Sequence, residues 1–225
     1  MVIWQLNSKN NFLLTKYFNN NQSNPYFYKK YKMFRLKLLT DPRWANIAEG
    51  NLEEILTDHA WCEQKAATNA IGLITMVPEY TEMVTELLAI AQEELDHFNQ
   101  VHEIIKKRGG VLGRTRKDDY VNDLVKFLVR GGKREDQIID KMLFAAMIEA
   151  RSCERFKVLT ENIKDEELKK FYHDLMVSEA NHYTAFIGFA RQLGDPETVN
   201  KRWEEWLEYE ASIMKSYGNK ETIHG

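Results

Sequence analysis

From Asp41 onward the apolar positions recur at helical spacing, and no stretch of useful length alternates as a strand would, so the chain reads as all-α. Asp41-Pro42 reads as an N-cap followed by proline at the first helical position, opening a short helix to about Glu49. Asn51, with Glu54 three residues on, resembles a capping box and starts a long helix to about Met76. Pro78 starts a second long helix that ends at Gly109-Gly110. A loose stretch follows, with a short amphipathic helix over Tyr120 to Val129 and a break at Gly131-Gly132. A third long helix spans Asp136 to Glu161. Asp165 caps a fourth that stops at Gly194, and Pro196 begins a fifth that carries Trp203 and Trp206. Residues 1–32 do not share this pattern. They include the polar run Asn19-Asn20-Asn21-Gln22-Ser23-Asn24-Pro25 and read as a flexible or non-native extension ahead of a domain at 33–225, with Met33 as the natural start. The alternative is an ordered arm that meets a partner.

The long helices carry a repeated set of metal-ligand residue types. Glu63 precedes Glu94 and His97; Glu149 precedes Glu179 and His182. The two sets are offset by nearly the same number of residues along the chain. Residues three apart share a helix face, so each Glu-x-x-His can bind one metal. One Glu from each of two helices plus Glu-x-x-His from each of two others is the ligand pattern of ferritin-like di-iron and di-manganese bundles. The geometry of folding supports it: Pro78 lies midway between Glu63 and Glu94, and Lys164 midway between Glu149 and Glu179. Helices that turn back at these points bring each glutamate level with its Glu-x-x-His, about 20 Å from the turns at 1.5 Å per residue. The neighbouring positions are apolar: Ala60, Ala66, Ala67 and Ala70 around Glu63, and Ala145, Ala146 and Cys153 around Glu149. Buried unpaired carboxylates would each cost several kcal/mol. Two divalent cations remove that cost, and four carboxylates neutralise them. Carboxylate with imidazole suits iron or manganese, and the absence of thiolate ligands argues against structural zinc.

Some residues admit more than one reading. Aligning Cys62-Glu63 with Cys153-Glu154 would put Glu154 in place of Glu149, but the spacing to Glu179 then breaks the symmetry; Glu154 is expected to pair with Arg151 or Arg155, or to support a ligand. His59, one turn before Glu63, either supports that ligand or is an ordinary histidine. Glu221-Thr222-Ile223-His224 repeats the motif at the tail with no upstream partner and no apolar face, and reads as a decoy.

Composition narrows the setting. No apolar run is long enough to span a bilayer, no secretory leader pattern opens the chain, and two cysteines, Cys62 and Cys153, provide neither a disulfide framework nor a Cys-x-x-Cys site. A cytoplasmic protein without a membrane partner is expected. The net charge of −3 conceals ten basic and three acidic residues between Lys106 and Arg134, a segment of +7 on a remainder of −10. Such a block suits a polyanion; its plain reading is a solvated loop.

The strings His59-Ala-Trp-Cys62-Glu63-Gln-Lys65-Ala66-Ala67, Glu93-Glu94-Leu-Asp-His97, Ile148-Glu149-Ala-Arg151-Ser152-Cys153-Glu154-Arg155-Phe156 and Ser178-Glu179-Ala-Asn-His182-Tyr183 resemble the tRNA 2-methylthio-N6-isopentenyladenosine hydroxylases of the MiaE type. The similarity runs from about Leu36 to the fifth helix. It implies a ferritin-like four-helix bundle with a long basic crossover and an additional C-terminal helix. It also implies a non-haem di-iron centre that uses dioxygen to hydroxylate the isopentenyl group beside the anticodon, with Glu63, Glu94, His97, Glu149, Glu179 and His182 holding two iron ions. The expected partners are the tRNA anticodon loop and an electron-donor protein such as a ferredoxin system, for a monomer or small oligomer. Arg114, Arg116, Lys117, Arg130, Lys133 and Arg134 are the expected RNA contacts. The alternatives are ferritin- or bacterioferritin-like iron storage or ferroxidase activity, which needs no basic block, and manganese catalase-like peroxide removal.

Overall fold

A computed structural model describes residues 33–217 and 222–224; the expected extension at residues 1–32 lies outside the described residues. Seven α-helices fall in the compact unit Leu36–Gly225: α1 (Trp44–Gly50), α2 (Leu52–Ile74), α3 (Thr81–Lys107), α4 (Asp119–Val125), α5 (Arg134–Asn162), α6 (Glu166–Leu193) and α7 (Pro196–Met214). A 3-10 turn at Met33–Arg35 belongs to the preceding unit. Among the described residues there is no strand, and no helix is long and apolar enough to cross a membrane.

Two hairpins, α2–α3 and α5–α6, make the most extensive helix pairings, and they meet with α2 against α5 and α3 against α6. The crossover joining them contains α4, and α7 packs on α4, α5 and α6. The result is a ferritin-like four-helix bundle. Fully buried Ala60, Ala70 and Ala146 lie on the facing surfaces, where small side chains let the helices approach. Asp140 docks α7: its buried carboxylate accepts from Trp206 Nε1 at 2.8 Å and Arg202 Nε at 2.8 Å, and from the backbone of Val129 at 2.6 Å.

The helix punctuation differs from the sequence reading where two signals compete for one residue. Asn51 is both the last cap of α1 and the first of α2; its side chain donates back to Ile47 O at 2.9 Å, so no capping box forms. Glu54 is left to pair with Arg116 at 3.0 Å. Pro78 does not begin α3. It takes the second position of a turn closed by Tyr80 N to Val77 O at 3.0 Å, and the helix starts at Thr81. Asp41 and Pro42 likewise precede α1, with Asp41 Oδ1 accepting from Arg43 N at 2.9 Å. Helix α4 stops at Val125, four residues short of the expected Val129, while α5 begins two residues early, at Arg134. Asp165 caps α6 as expected, accepting from Glu167 N and Leu168 N, and Pro196 begins α7 as expected; the cap before it, Asp195, which accepts from Thr198 N, was not singled out in the sequence.

Candidate metal centre

Antiparallel hairpins with turns near Pro78 and Lys164 bring all six expected ligands to one level inside the bundle. Each is buried, with relative exposures from 1% for Glu94 to 7% for His97. Their donor atoms form two overlapping groups, each gathered within 4.8 Å: Glu63, Glu94, His97 and Glu179; and Glu94, Glu149, Glu179 and His182. Glu94 and Glu179 belong to both. Two carboxylates shared between two sets of ligands suit a pair of cations bridged by those carboxylates.

The local chemistry fits such a pair. His97 Nδ1 lies 3.6 Å from Glu63 Oε2, 3.6 Å from Glu94 Oε2 and 3.5 Å from Glu179 Oε1. His182 Nδ1 lies 2.8 Å from Glu94 Oε1. Yet both Glu94 oxygens, Glu179 Oε1 and His97 Nδ1 are buried without a hydrogen-bond partner. A buried protein polar atom is rarely left so, and four together suit a site that would take cations.

Without cations the cluster depends on protons. Burial and the neighbouring Glu179 and Glu94 push Glu149 well above the ordinary carboxylate range. Burial and the negative charge of Glu63 push Glu94 up as well. Burial would likewise raise Glu63, but His59 and His97 outweigh it and hold this carboxyl at about 2. Burial would lower His97, yet Glu63, Glu94 and Glu179 outweigh it and raise the imidazole to about 11. His182 moves the same way, through Glu179, Glu93 and Glu94.

Two residues steady the ligands. His59 is fully buried, with Nε2 at 2.5 Å from Glu63 Oε1 and its ring stacked on Tyr172. It therefore braces the expected ligand Glu63 and is not a surface histidine. Glu93 was not singled out in the sequence; its Oε2 reaches His182 Nε2 at 3.1 Å, orienting the ring from the far side. It occupies a different face of α3 from Glu94, and only the packing of α3 on α6 brings it there.

The run from Glu149 to Arg155 divides its labour around the turn of α5. Glu149 enters the cluster; Glu154 does not. Glu154 accepts from Arg151 Nη1 at 2.8 Å and from the backbone and hydroxyl of Thr40 at 2.9 and 2.6 Å. Arg151, fully buried, also reaches Glu210 Oε1 with Nε at 2.8 Å and Leu38 O at 2.9 Å, tying α5 to α7 and to the entering chain. Arg155 lies over the Trp44 ring, 4.2 Å from its centroid. Both cysteines are free and buried, and burial pushes both thiols up, as inert core thiols require.

The tail corrects the sequence reading. Ile223 and His224 are buried, at 0% and 4% exposure, and with Cys62, Ala66, Ile148, Ser152 and Phe156 they line a small cavity against Glu63, Glu94, Glu149 and Glu179. An isolated Ile-His pair beyond the last helix carries no periodicity, so no sequence signal could place it there.

The six basic residues of the crossover do not converge. Arg116 pairs with Glu54 near the start of α2, whereas Arg134 pairs with Glu79 and Met76 O beyond its end, roughly 30 Å away along the helix axis. Lys117 pairs with Asp119 at 2.8 Å. Arg114, Arg130 and Lys133 are exposed and make no ion pair among the described residues.

Fold and site together define a ferritin-like carboxylate protein of the kind that holds two metal ions between its four long helices. Residues 29–225 match the family model described as tRNA-(MS[2]IO[6]A)-hydroxylase (MiaE), and the chain belongs to that family. A tRNA 2-(methylsulfanyl)-N(6)-isopentenyladenosine(37) hydroxylase of Pseudomonas putida is 34% identical over 185 residues, covering 82% of this chain and 89% of the relative. One of Salmonella typhimurium is 28% identical over 221 residues, covering 77% and 80%. Among solved structures, protein 43 with aldehyde deformylating oxygenase activity from Synechococcus superposes with a TM-score of 0.78 at 31% identity, over 84% of this chain and 95% of that one.

Proposed function

We propose that this protein is a di-iron, dioxygen-dependent monooxygenase that hydroxylates the isopentenyl group of 2-methylthio-N6-isopentenyladenosine next to the tRNA anticodon. The observation that carries this reading is the pair of overlapping ligand groups sharing Glu94 and Glu179, in a chain of a tRNA hydroxylase family. Glu63, Glu94 and His97 would hold one iron, and Glu149, Glu179 and His182 the other. A di-iron centre supplies dioxygen reduction strong enough to attack an unactivated C–H bond. The chain's own part is to hold the site and orient its ligands. His59 fixes Glu63 and Glu93 fixes His182. Ala66, Ile148, Phe156 and Ile223 give the cavity an apolar side, the surface an alkyl group would meet on entering.

The substrate base would leave its stack to reach a buried centre, with the loop phosphates held by exposed crossover cations, Arg114, Arg130 and Lys133 first among them. Arg116, Lys117 and Arg134 would exchange weak surface ion pairs for phosphate at little cost. Oxygen insertion needs two electrons from outside the chain, which a ferredoxin-type donor provides, and a tRNA substrate places the protein in the cytoplasm. Iron storage and peroxide removal would use the same ligands but have no use for RNA.

The test is direct. The protein is loaded anaerobically with ferrous iron, then given oxygen, a ferredoxin system and tRNA carrying the unhydroxylated base. The expected result is about two irons per chain and a nucleoside heavier by one oxygen atom. Iron-loaded protein that leaves the base unchanged while donor oxidation proceeds would refute the proposal.

A further inference from the structure

The cavity beside the four carboxylates measures about 10 Å³ as the space open to the centre of a water molecule, close to the minimum that holds one water. A branched prenyl side chain does not fit. Nine of the residues lining it stand on α2, α3, α5 and α6, whose packing is fixed by the bundle; the other two are Ile223 and His224 of the tail. Among the described residues, this part of the wall is held by side chains of α2, the crossover and α5. Ile223 N donates to Asp58 Oδ2 at 2.8 Å, His224 Nδ1 lies 3.2 Å from Asp118 Oδ2, and His224 Nε2 lies 3.0 Å from Ser152 Oγ. The His224 ring stacks on Tyr120, and Cys62 Sγ lies 3.7 Å from its Nδ1.

We propose that Ile223 and His224 are specificity determinants of the centre: they are the wall that gives way to the substrate's alkyl group and bars molecules that cannot displace it. This rests on the hydroxylase reading above. The anchors suggest what displaces it. Asp58 and Asp118 both hold the tail, and both adjoin the basic crossover. Arg116 Nη2 approaches Asp58 Oδ1 at 4.0 Å, and Asp118 caps α4 through Val121 N at 2.9 Å. RNA bound along the start of the crossover draws on the same residues that pin the tail, so opening is favoured by tRNA and not by a free nucleoside.

Cys62 reports on the wall without any catalytic assay. In full-length, metal-loaded Cys153→Ala protein, alkylation of Cys62 by iodoacetamide is expected to be slow. Adding His224→Ala removes the ring that contacts the thiol and its hydrogen bond to Asp118, and is expected to speed labelling about tenfold or more. Ile223→Gly is a second variant that loosens the wall should His224→Ala not fold, and thermal melts monitor both. Labelling unchanged in folded variants of either kind overturns the proposal. The second arm is the ratio of kcat/KM for modified tRNA to that for the free modified nucleoside. It is expected to fall about tenfold in Ile223→Ala, and an unchanged ratio also overturns the proposal. Wild-type protein that hydroxylates neither substrate would instead refute the hydroxylase reading, while the Cys62 result would still report whether the tail opens.

Discussion

His59 Nε2 stands 2.5 Å from Glu63 Oε1, one turn apart on α2, with the histidine ring enclosed by Phe156 and Tyr172. The contact orients Glu63, the residue that α2 brings to the cluster. A ligand whose supporting partner is removed binds its metal more weakly, typically by 10–100-fold. His59→Phe is therefore expected to release iron to a chelator about 10–100 times more readily than the parent while remaining folded. Equal retention of both irons in a chelator competition would show that His59 only fills space.

Glu149 and Glu154 share a helix but differ in role, and substitutions separate them. Glu149→Ala is expected to lose metal with little loss of thermal stability in the metal-free state, since its carboxyl is already pushed up toward the neutral form by burial and Glu179. Glu154→Ala is expected to keep its metal but lose roughly 3–5 kcal/mol of stability, because Arg151 is left buried with one partner fewer. Iron counting and denaturant unfolding read the two effects. A Glu149→Ala protein with full iron would overturn the ligand assignment.

Loading the centre must expel protons. In the metal-free protein His97 is raised to about 11 and His182 well above its ordinary value of 6.5. Raised pKa values mean that protonation of these rings stabilises the metal-free fold fully below about 6.5, and that this contribution fades as pH rises through about 11. Cations compete with those protons, so metal affinity is expected to rise with pH across the neutral range. Titration with Mn(II) in weak buffer is expected to release about two protons or more per chain. Metal uptake with no acidification would contradict the protonated cluster.

RNA binding tests the crossover. Neutralising Arg114, Arg130 and Lys133 together is expected to weaken tRNA binding and to reduce the slope of log affinity against log salt by about 2–3. Arg134→Gln also removes its pairing with Glu79, a surface contact worth about 0–1 kcal/mol, so stability changes little. A salt slope unchanged in the triple variant would remove the crossover from the RNA interface.

The bundle and the convergence of the six expected ligands were legible along the chain because both are local facts repeated. A ligand three residues from its mate shares its face in any α-helix, and hairpins that turn at their midpoints bring equal distances level. The cap at Asp165 and the start of the last helix at Pro196 were legible because each is a local signal. Where one residue received two demands, as at Asn51, the tertiary arrangement decided which hydrogen bond it made. Tertiary structure also separated Glu149 from Glu154, placed Glu93 behind His182 and spread the crossover cations over the length of α2. Most of all, it laid Ile223 and His224 against the centre. These two residues sit far from Asp58, Asp118 and Ser152 in sequence and follow no period, so their place depends on chain closure between distant segments, which helical spacing does not encode.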